Sequence, residues 1–134
     1  MTNDEISKGG GMAELGSGRR YDLAERTARF GEAIIDFAKT IPINLITERL
    51  VPQLVASATS VGANYCEADD AVSKKDFRYK IGICKKESRE TKFFLRMLVR
   101  ATPEAREQAR PLWDEARQLH LIFAKIYRSS SPLP

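Results

Sequence analysis

The residues whose types and spacing best suit a chemical role are basic and lie in one stretch of the chain. Between Ser73 and Arg100, ten lysines and arginines stand against three acidic residues, a local net charge of +7. In a helix, at about 100° per residue, seven of the ten project into one sector about 80° wide. At 1.5 Å per residue they form a row about 40 Å long. We call these seven residues the basic ridge: Lys74, Arg78, Lys85, Arg89, Lys92, Arg96 and Arg100.

A basic ridge of this length suits a polyanion such as RNA or DNA. Each phosphate that a lysine or arginine neutralises releases counterions and adds affinity that does not depend on base sequence. The alternatives are a solvated helix face, or pairing of the same charges with acids of neighbouring helices or subunits. Stacking of unpaired bases has little support, because Phe77 and Tyr79 fall outside the basic sector.

The opposite flank of the same helix is acidic. Asp76, Glu87 and Glu90 project there, beside the apolar residues Ile83 and Phe94. A helix with one basic and one acidic edge suits a head-to-tail contact between copies, and such contacts close into rings. The alternative is ordinary scatter of surface charge.

A second group of polar residues lies on the preceding helix, on an unusually small and polar face. Small residues let another backbone approach closely, so we expect these side chains to bond across to Glu87, Lys86 or Arg89 in a buried network that specifies packing. The residues of this predicted network are Ser57, Ser60, Asn64, Glu67 and, from the third helix, Glu87.

Catalytic and metal chemistry find little support in the residue types. Glu67 and Glu87 would be the paired carboxylates of an acid–base or di-metal site, but bundle metal sites need Glu-x-x-His pairs, and the only histidine, His120, is not in one. The chain has no phosphate-binding glycine loop and no nucleophile elbow. We therefore expect a protein that is not an enzyme and has no metal or cofactor, with Trp113 and Tyr127 as core or interface aromatics.

The cysteines and the hydropathy bear on location. Cys66 and Cys84 lie within helical patterns and match no metal-ligand spacing, so we expect reduced, buried thiols. Reduced thiols are typical of a cytoplasmic protein. No apolar run approaches the roughly 18 residues of a membrane span, and the N-terminal region shows no secretory signal pattern. The expected location is the cytoplasm, with no membrane partner.

The elements that must position these residues follow from hydrophobic periodicity. Apolar residues recur at alternating four- and three-residue steps in four stretches of this 134-residue chain, one stripe per helix. We expect the second helix to start near Thr47, Ser73 to cap the third, and Thr102 to cap the fourth with Pro103 at its first position. Pro111 should kink or break the fourth helix, leaving residues 103–110 as a separate turn.

Helices of this length joined by short loops predict an all-α, antiparallel, up-down-up-down four-helix bundle. We assign the bundle domain to residues 21–128. Residues 1–20 hold five of the eight glycines and too few apolar residues to offset the entropy of ordering, so we expect a flexible N-terminal leader. Residues 129–134 have the composition of a C-terminal tail.

The stretch from Gln53 to Ala68, QLVASATSVGANYCEA, resembles the signature of the bacterial four helix bundle proteins related to the 23S rRNA intervening-sequence protein. The likeness continues in register through SKKDF, which begins at Ser73, KKESRET, which begins at Lys85, and FLR, which begins at Phe94. It covers roughly residues 22 to 128 and is specific through the second and third helices. Helices one and four match only in pattern.

The resemblance implies an up-down bundle assembled as a ring, typically a homopentamer, without a catalytic site. A more distant branch, the accessory variability proteins of diversity-generating retroelements, forms a basic pentameric barrel that associates with a reverse transcriptase and nucleic acid. The expected partners are therefore further copies of the chain, RNA or DNA, and a reverse transcriptase or another protein. The alternative function is a protein–protein scaffold or accessory subunit that does not touch nucleic acid.

Overall fold

The computed structural model describes residues 19–131, and four α-helices account for most of them. The helices are α1 (Arg19–Lys39), α2 (Thr47–Asp69), α3 (Lys74–Ala101) and α4 (Arg106–Ser129), with a 3-10 turn, Pro103–Ala105, between the last two. The described part of the chain contains no strand, so the predicted all-α class is confirmed. The predicted leader and tail lie largely outside the described residues, because residues 1–18 and 132–134 are not among them.

Side-chain contacts between successive helices join residues in opposite order. As the residue numbers rise along α3, the numbers of their partners fall, both on α2 and on α4. Neighbours that pair in this way run antiparallel. The contacts that establish the order are Ser57 with Thr91 and Glu67 with Lys80 between α2 and α3, and Arg78 with Tyr127 and Lys92 with Trp113 between α3 and α4.

The core draws on all four helices. Burying such side chains removes apolar surface from water at about 25 cal/mol per Å², which is the main term that holds the bundle together. The rings of Tyr65 and Phe123 meet at 5.9 Å between centroids, linking α2 to α4. The largest fully buried apolar side chains are Ile34 in α1, Leu54 and Val61 in α2, Ile81, Leu95 and Leu98 in α3, and Leu119 and Phe123 in α4.

Helix α2 begins at Thr47, as predicted, and a reciprocal pair of hydrogen bonds fixes its start. The amide of Thr47 donates to Oδ1 of Asn44 at 2.9 Å, and the amide of Asn44 donates to Oγ1 of Thr47, also at 2.9 Å. The Thr47 hydroxyl in turn donates to the Pro42 carbonyl at 2.7 Å. This satisfies amides that lack an intrahelical acceptor. The predicted cap of α3 is also present, since Ser73 Oγ accepts from the Asp76 amide at 3.0 Å.

The entry to α4 differs from the prediction. The Thr102 side chain makes no capping hydrogen bond, because a 3-10 turn intervenes in which the Thr102 carbonyl accepts from the Ala105 amide at 3.0 Å. Pro103 does occupy the first position of that turn. Helix α4 then continues from Arg106 through Pro111 without a break, so the separate turn is limited to Pro103–Ala105 and the predicted break at Pro111 is wrong. Burial of flanking α4 residues such as Ala109 and Ala116 supports the helix across the single missing amide.

Candidate nucleic-acid interface

The basic ridge lies on the side of α3 that faces α4. Helix α3 buries Ile81, Cys84, Ser88, Thr91, Leu95 and Leu98, and the ridge follows the edge of that buried stripe. Helix α4 supports the ridge from beside it through two aromatic rings and a histidine. The groove between α3 and α4 therefore carries the candidate site.

At one end of the groove, Arg78 rests on Tyr127. The guanidinium carbon lies 3.8 Å from the ring centroid, and Nη1 donates to the phenol oxygen at 3.0 Å. Lys85 approaches the same ring, with Nζ 5.5 Å from the centroid. Gly82 makes room for this contact, because a Cβ at that position would stand 3.0 Å from Cε1 of Tyr127. Arg78 is thus held in place by an aromatic ring rather than by an acid.

Two turns beyond Lys85 on α3, a second ridge cation lies against an aromatic ring of α4. Lys92 Nζ lies 5.1 Å from the centroid of the Trp113 ring. Between the two aromatic contacts, Nδ1 of His120 lies 3.0 Å from the backbone carbonyl oxygen of Lys85. Arg89, in the same stretch of the ridge, is exposed.

The pairing reflects two rows with a seven-residue spacing. Arg78, Lys85 and Lys92 lie seven residues apart on α3, and their α4 partners Tyr127, His120 and Trp113 do so in reverse order. A seven-residue step is nearly two turns of helix, so each row stays on one face. The two faces meet along most of the groove.

At the other end, Arg96 and Arg100 of α3 meet Arg106 and Arg110 of α4 around Trp113. These five residues line a groove of about 490 Å³, with apolar residues of both helices forming the rest of its lining. Every charged residue that lines this groove is an arginine. We call it the arginine groove.

The charges of the ridge are not consumed by acids within the described part of the chain. The ion pairs found there join Arg26 to Glu115, Arg29 to Glu25, Lys80 to Glu67, Arg110 to Glu107 and Arg117 to Asp114. None of the seven ridge residues takes part in them. Pairing with neighbouring helices of the same chain therefore does not explain the ridge.

Sequence reasoning missed the contribution of α4. Trp113 and Tyr127 were expected in the core or at an interface; Trp113 is 39% exposed, so it is not a core residue, and both rings lie against ridge cations. Arg106 and Arg110 were not assigned to any site, yet they extend the basic surface at one end. The seven-residue spacing of the α4 row is the signal that would have placed these aromatics on one face.

The acidic flank of α3 lies on the edge away from the ridge. Burial, followed by the nearby charge of Glu90 and opposed by Lys86, raises the pKa of the Glu87 carboxyl above its ordinary value. Phe93 and Phe94 meet edge to face on this outer side, with centroids 5.5 Å apart, and Phe93 is 54% exposed. This edge is therefore both acidic and apolar.

The predicted polar network is replaced by separate contacts. Thr91 Oγ1 lies 3.0 Å from Ser57 Oγ across the α2–α3 interface. Asn64 bonds within its own helix, its side-chain amide donating to Ser60 Oγ at 2.9 Å. The remaining contact is an ion pair between Glu67 and Lys80.

The expected bonds to Glu87, Lys86 and Arg89 are therefore wrong for the side chains of α2, although two of the predicted residues, Ser57 and Glu67, do contact other residues of α3. Only Ser57 among the four α2 residues is buried, because the others project toward the outer surface of α2.

The two cysteines differ in their surroundings. Cys84 is buried and its Sγ lies 3.5 Å from the Val61 carbonyl oxygen, and desolvation raises the pKa of this thiol to about 12. Cys66 is exposed, which corrects the expectation that both thiols are buried. The helical stripe of α2 passes through Tyr65 and leaves its neighbour Cys66 on the outside.

Two further findings concern metals and membranes. Among residues 19–131, no three His, Cys, Asp or Glu side chains cluster closely enough to hold a metal ion. Within that same range, no helix combines the length and apolarity needed to cross a bilayer.

Residues 19–125 match the family model of the 23S rRNA-intervening sequence protein. A search of curated proteins finds no match. Among solved structures, the chain is similar to a protein of unknown function from the S23 ribosomal protein family of Bacteroides thetaiotaomicron. That likeness has a TM-score of 0.68 at 28% identity and covers 78% of this chain and 97% of the other. The chain belongs to the 23S rRNA-intervening sequence protein family.

Proposed function

We propose that the protein is a non-enzymatic, cytoplasmic homo-oligomer that binds RNA or DNA through the basic ridge of α3. The observation that carries the proposal is the set of seven ridge cations, none of which is ion-paired within the described part of the chain. Aromatic rings of α4 hold three of them in place, so ordering these side chains on a ligand costs less entropy.

The electrostatic argument sets the kind of binding. A phosphate backbone can follow a row about 40 Å long, and every phosphate contact adds affinity that falls as salt rises. Contacts from lysine and arginine to phosphates carry no base-sequence information, so the proposed binding through the phosphate backbone is independent of base sequence.

The proposed oligomer is a ring, with five copies as the expected number from the family resemblance. The acidic and apolar outer edge of α3, with Glu87, Glu90 and the exposed Phe93, provides one half of a heterologous contact. A cationic surface of the next copy outside the basic ridge would provide the other half, and contacts of this type close into rings. The ring would repeat the basic surface once per copy and so multiply the charge presented to one nucleic acid.

Charge reversal on the ridge tests the proposal. Arg89→Glu with Lys92→Glu should abolish the binding of a fluorescent single-stranded RNA at low salt while leaving the far-ultraviolet circular dichroism unchanged. The matched control reverses two exposed cations that lie elsewhere, Lys39 and Arg49. The control should retain most of the affinity. Equal loss in both double variants would contradict a localised site.

The second candidate is a protein–protein scaffold or accessory subunit, for instance of a reverse transcriptase. The observation in its favour is the outer face of α3, where Tyr79 is 63% exposed and Phe93 is 54% exposed. Exposed aromatic residues on one face are typical of a protein interface. Under this alternative, the ridge variant would dissociate the oligomer, and the wild-type protein would bind nucleic acid weakly at any salt concentration.

A further inference from the structure

We infer that the arginine groove binds one unpaired nucleotide of a single-stranded nucleic acid, with its base stacked on Trp113 and its phosphates held by the surrounding arginines. The inference rests on the proposed function and deepens it, because it names a class of nucleic acid that the ridge alone does not select. A ridge of charges binds single and double strands alike. An aromatic platform binds only a base that is free to leave its stack.

The groove has suitable size and lining for such a ligand. Its volume of about 490 Å³ lies within the range of about 300–1,000 Å³ found for small-molecule sites. The lining combines buried or half-buried apolar residues, among them Leu95 and Val99, with exposed arginines. Protein sites for nucleotides combine the same two features, an apolar surface for the base and cations for the phosphates.

The arginines of the groove are available to a ligand. Arg96, Arg100 and Arg106 form no ion pair with any other described residue. Arg110 pairs with Glu107 at 3.2 Å, but both side chains are highly exposed, so solvent screens the pair and phosphate can displace the carboxylate. Guanidinium groups bind phosphate through two parallel hydrogen bonds, which fixes the position of the nucleotide as well as its charge.

Trp113 provides the surface for stacking. The ring lines the groove and is 39% exposed, whereas a tryptophan with only a packing role would be covered more completely. Lys92, which does not line the groove, lies over the ring at 5.1 Å from its centroid. The contact with Lys92 fixes the orientation of the indole ring before a ligand binds, so a base can stack on Trp113 without first ordering it. Stacking of this kind changes affinity by about 5- to 150-fold per base.

The exposed tryptophan, rather than the charge of the groove, distinguishes a nucleotide from an acidic protein segment as the ligand. Four arginines without an acid in the lining match a chain of phosphates, and a peptide carboxylate would match the charges equally well. A peptide rich in carboxylates does not place an aromatic group on the exposed indole ring that lies between the arginines. A nucleotide uses both parts of the site, so we commit to the nucleotide.

The chain contains a single tryptophan, so its intrinsic fluorescence reports on this site alone. We would titrate the full-length protein with three labelled probes: a short oligoadenylate, a strand of the same length that lacks bases, and the duplex of the oligoadenylate with its complement. Oligoadenylate should quench the tryptophan emission on binding. The abasic strand and the duplex should bind through the basic ridge, by anisotropy of their labels, without that quenching.

Substitution of Trp113 tests the stacking independently of the fluorescence measurement. Trp113→Leu should weaken oligoadenylate binding by about 5- to 150-fold and leave duplex binding within about twofold. The matched control is Leu121→Ala, which shortens an exposed side chain of the same helix outside the groove and should change neither affinity. Circular dichroism and light scattering would verify that both variants keep the fold and the oligomer.

The outcomes separate this inference from the function on which it rests. Binding of all three probes with equal affinity, no quenching and no effect of Trp113→Leu would overturn the nucleotide site and leave the basic ridge standing. Failure of every probe to bind at low salt would overturn both. Dissociation of the oligomer by Trp113→Leu would show instead that a second copy covers the groove, which also overturns the inference.

Discussion

Neutralising three arginines of the groove should change the salt dependence of binding by an amount that follows from their number. The change is Arg96→Gln, Arg100→Gln and Arg106→Gln in one variant. Each of the three side chains is free of an ion pair within the described residues, so each is available to neutralise one phosphate. For single strands, the logarithm of the binding constant falls with the logarithm of salt by about 0.7 for each phosphate neutralised.

Three lost contacts therefore reduce the slope by about 2. Over a fourfold rise in salt, from about 50 to about 200 mM, the wild-type protein should lose about 20-fold more affinity than the variant does. The assay is fluorescence anisotropy of a labelled single-stranded oligonucleotide at four or more salt concentrations in this range, with circular dichroism to confirm the fold.

The matched control removes the same total charge from another part of the surface. Lys39→Gln, Arg49→Gln and Lys125→Gln replace three exposed cations, and Lys125 lies on a face of α4 away from Trp113. The control should keep nearly the wild-type slope. An equal fall in slope for both triple variants would refute the reasoning, because it would mean that binding follows the total charge of the protein.

Three further predictions concern stability and reactivity. A thiol reagent should label one cysteine per chain at neutral pH, and Cys66→Ser should abolish that labelling, since burial raises the pKa of Cys84 to about 12; two rapidly labelled thiols would contradict this. Glu87→Gln should raise the melting temperature at pH 7. Burial raises the pKa of Glu87, so the ionised carboxylate disfavours the folded state. The gain in melting temperature should therefore vanish as the pH falls below 4.5, the ordinary pKa of a glutamate, where the carboxyl is protonated in both the folded and the unfolded state. A gain independent of pH would contradict the assignment. Arg26 and Glu115 join α1 to α4 through two bonds of 2.7 and 2.9 Å, and a double-mutant cycle to glutamine in urea should give a coupling of about 1 kcal/mol, with zero coupling as the contrary result.

The architecture was accessible from the sequence because each helix carries its own signal. The stripe of α3, from Ile81 through Cys84, Thr91 and Leu98, is visible from spacing alone, and the structure buries all four residues. The start of α2 near Thr47 was predicted because a helix tolerates a proline such as Pro52 close to its start. The structure shows that the Asn44 side chain fixes this start. Local rules such as these act within a few residues, so a single sequence reveals them.

The errors in the fold arose where packing or an intervening turn overrode a local rule. Pro111 is a strong helix breaker in isolation, yet α4 passes through it. Thr102 has the chemistry of a cap, but the 3-10 turn separates it from the helix that it was expected to cap. Cys66 fell within an apolar-looking stretch, and only the rotation of α2 against its neighbours decided that it is exposed.

The candidate site could be predicted only on the α3 side. Periodicity placed the seven ridge residues on one face of one helix, whereas the relation of Trp113 to Lys92 depends on the register of two antiparallel helices, which periodicity within either helix does not contain. For the same reason Arg106 and Arg110 were not joined to Arg96 and Arg100 before the structure brought them together.

Light scattering of the purified protein on a size-exclusion column tests the central claim most directly, with the protein alone and with a short single-stranded RNA, at low and at moderate salt. The account predicts a mass near five times 15.1 kDa, and a shift to higher mass with RNA that occurs at low salt and is lost at moderate salt. A monomer of 15.1 kDa that does not shift with RNA at low salt would contradict both the assembly and the binding.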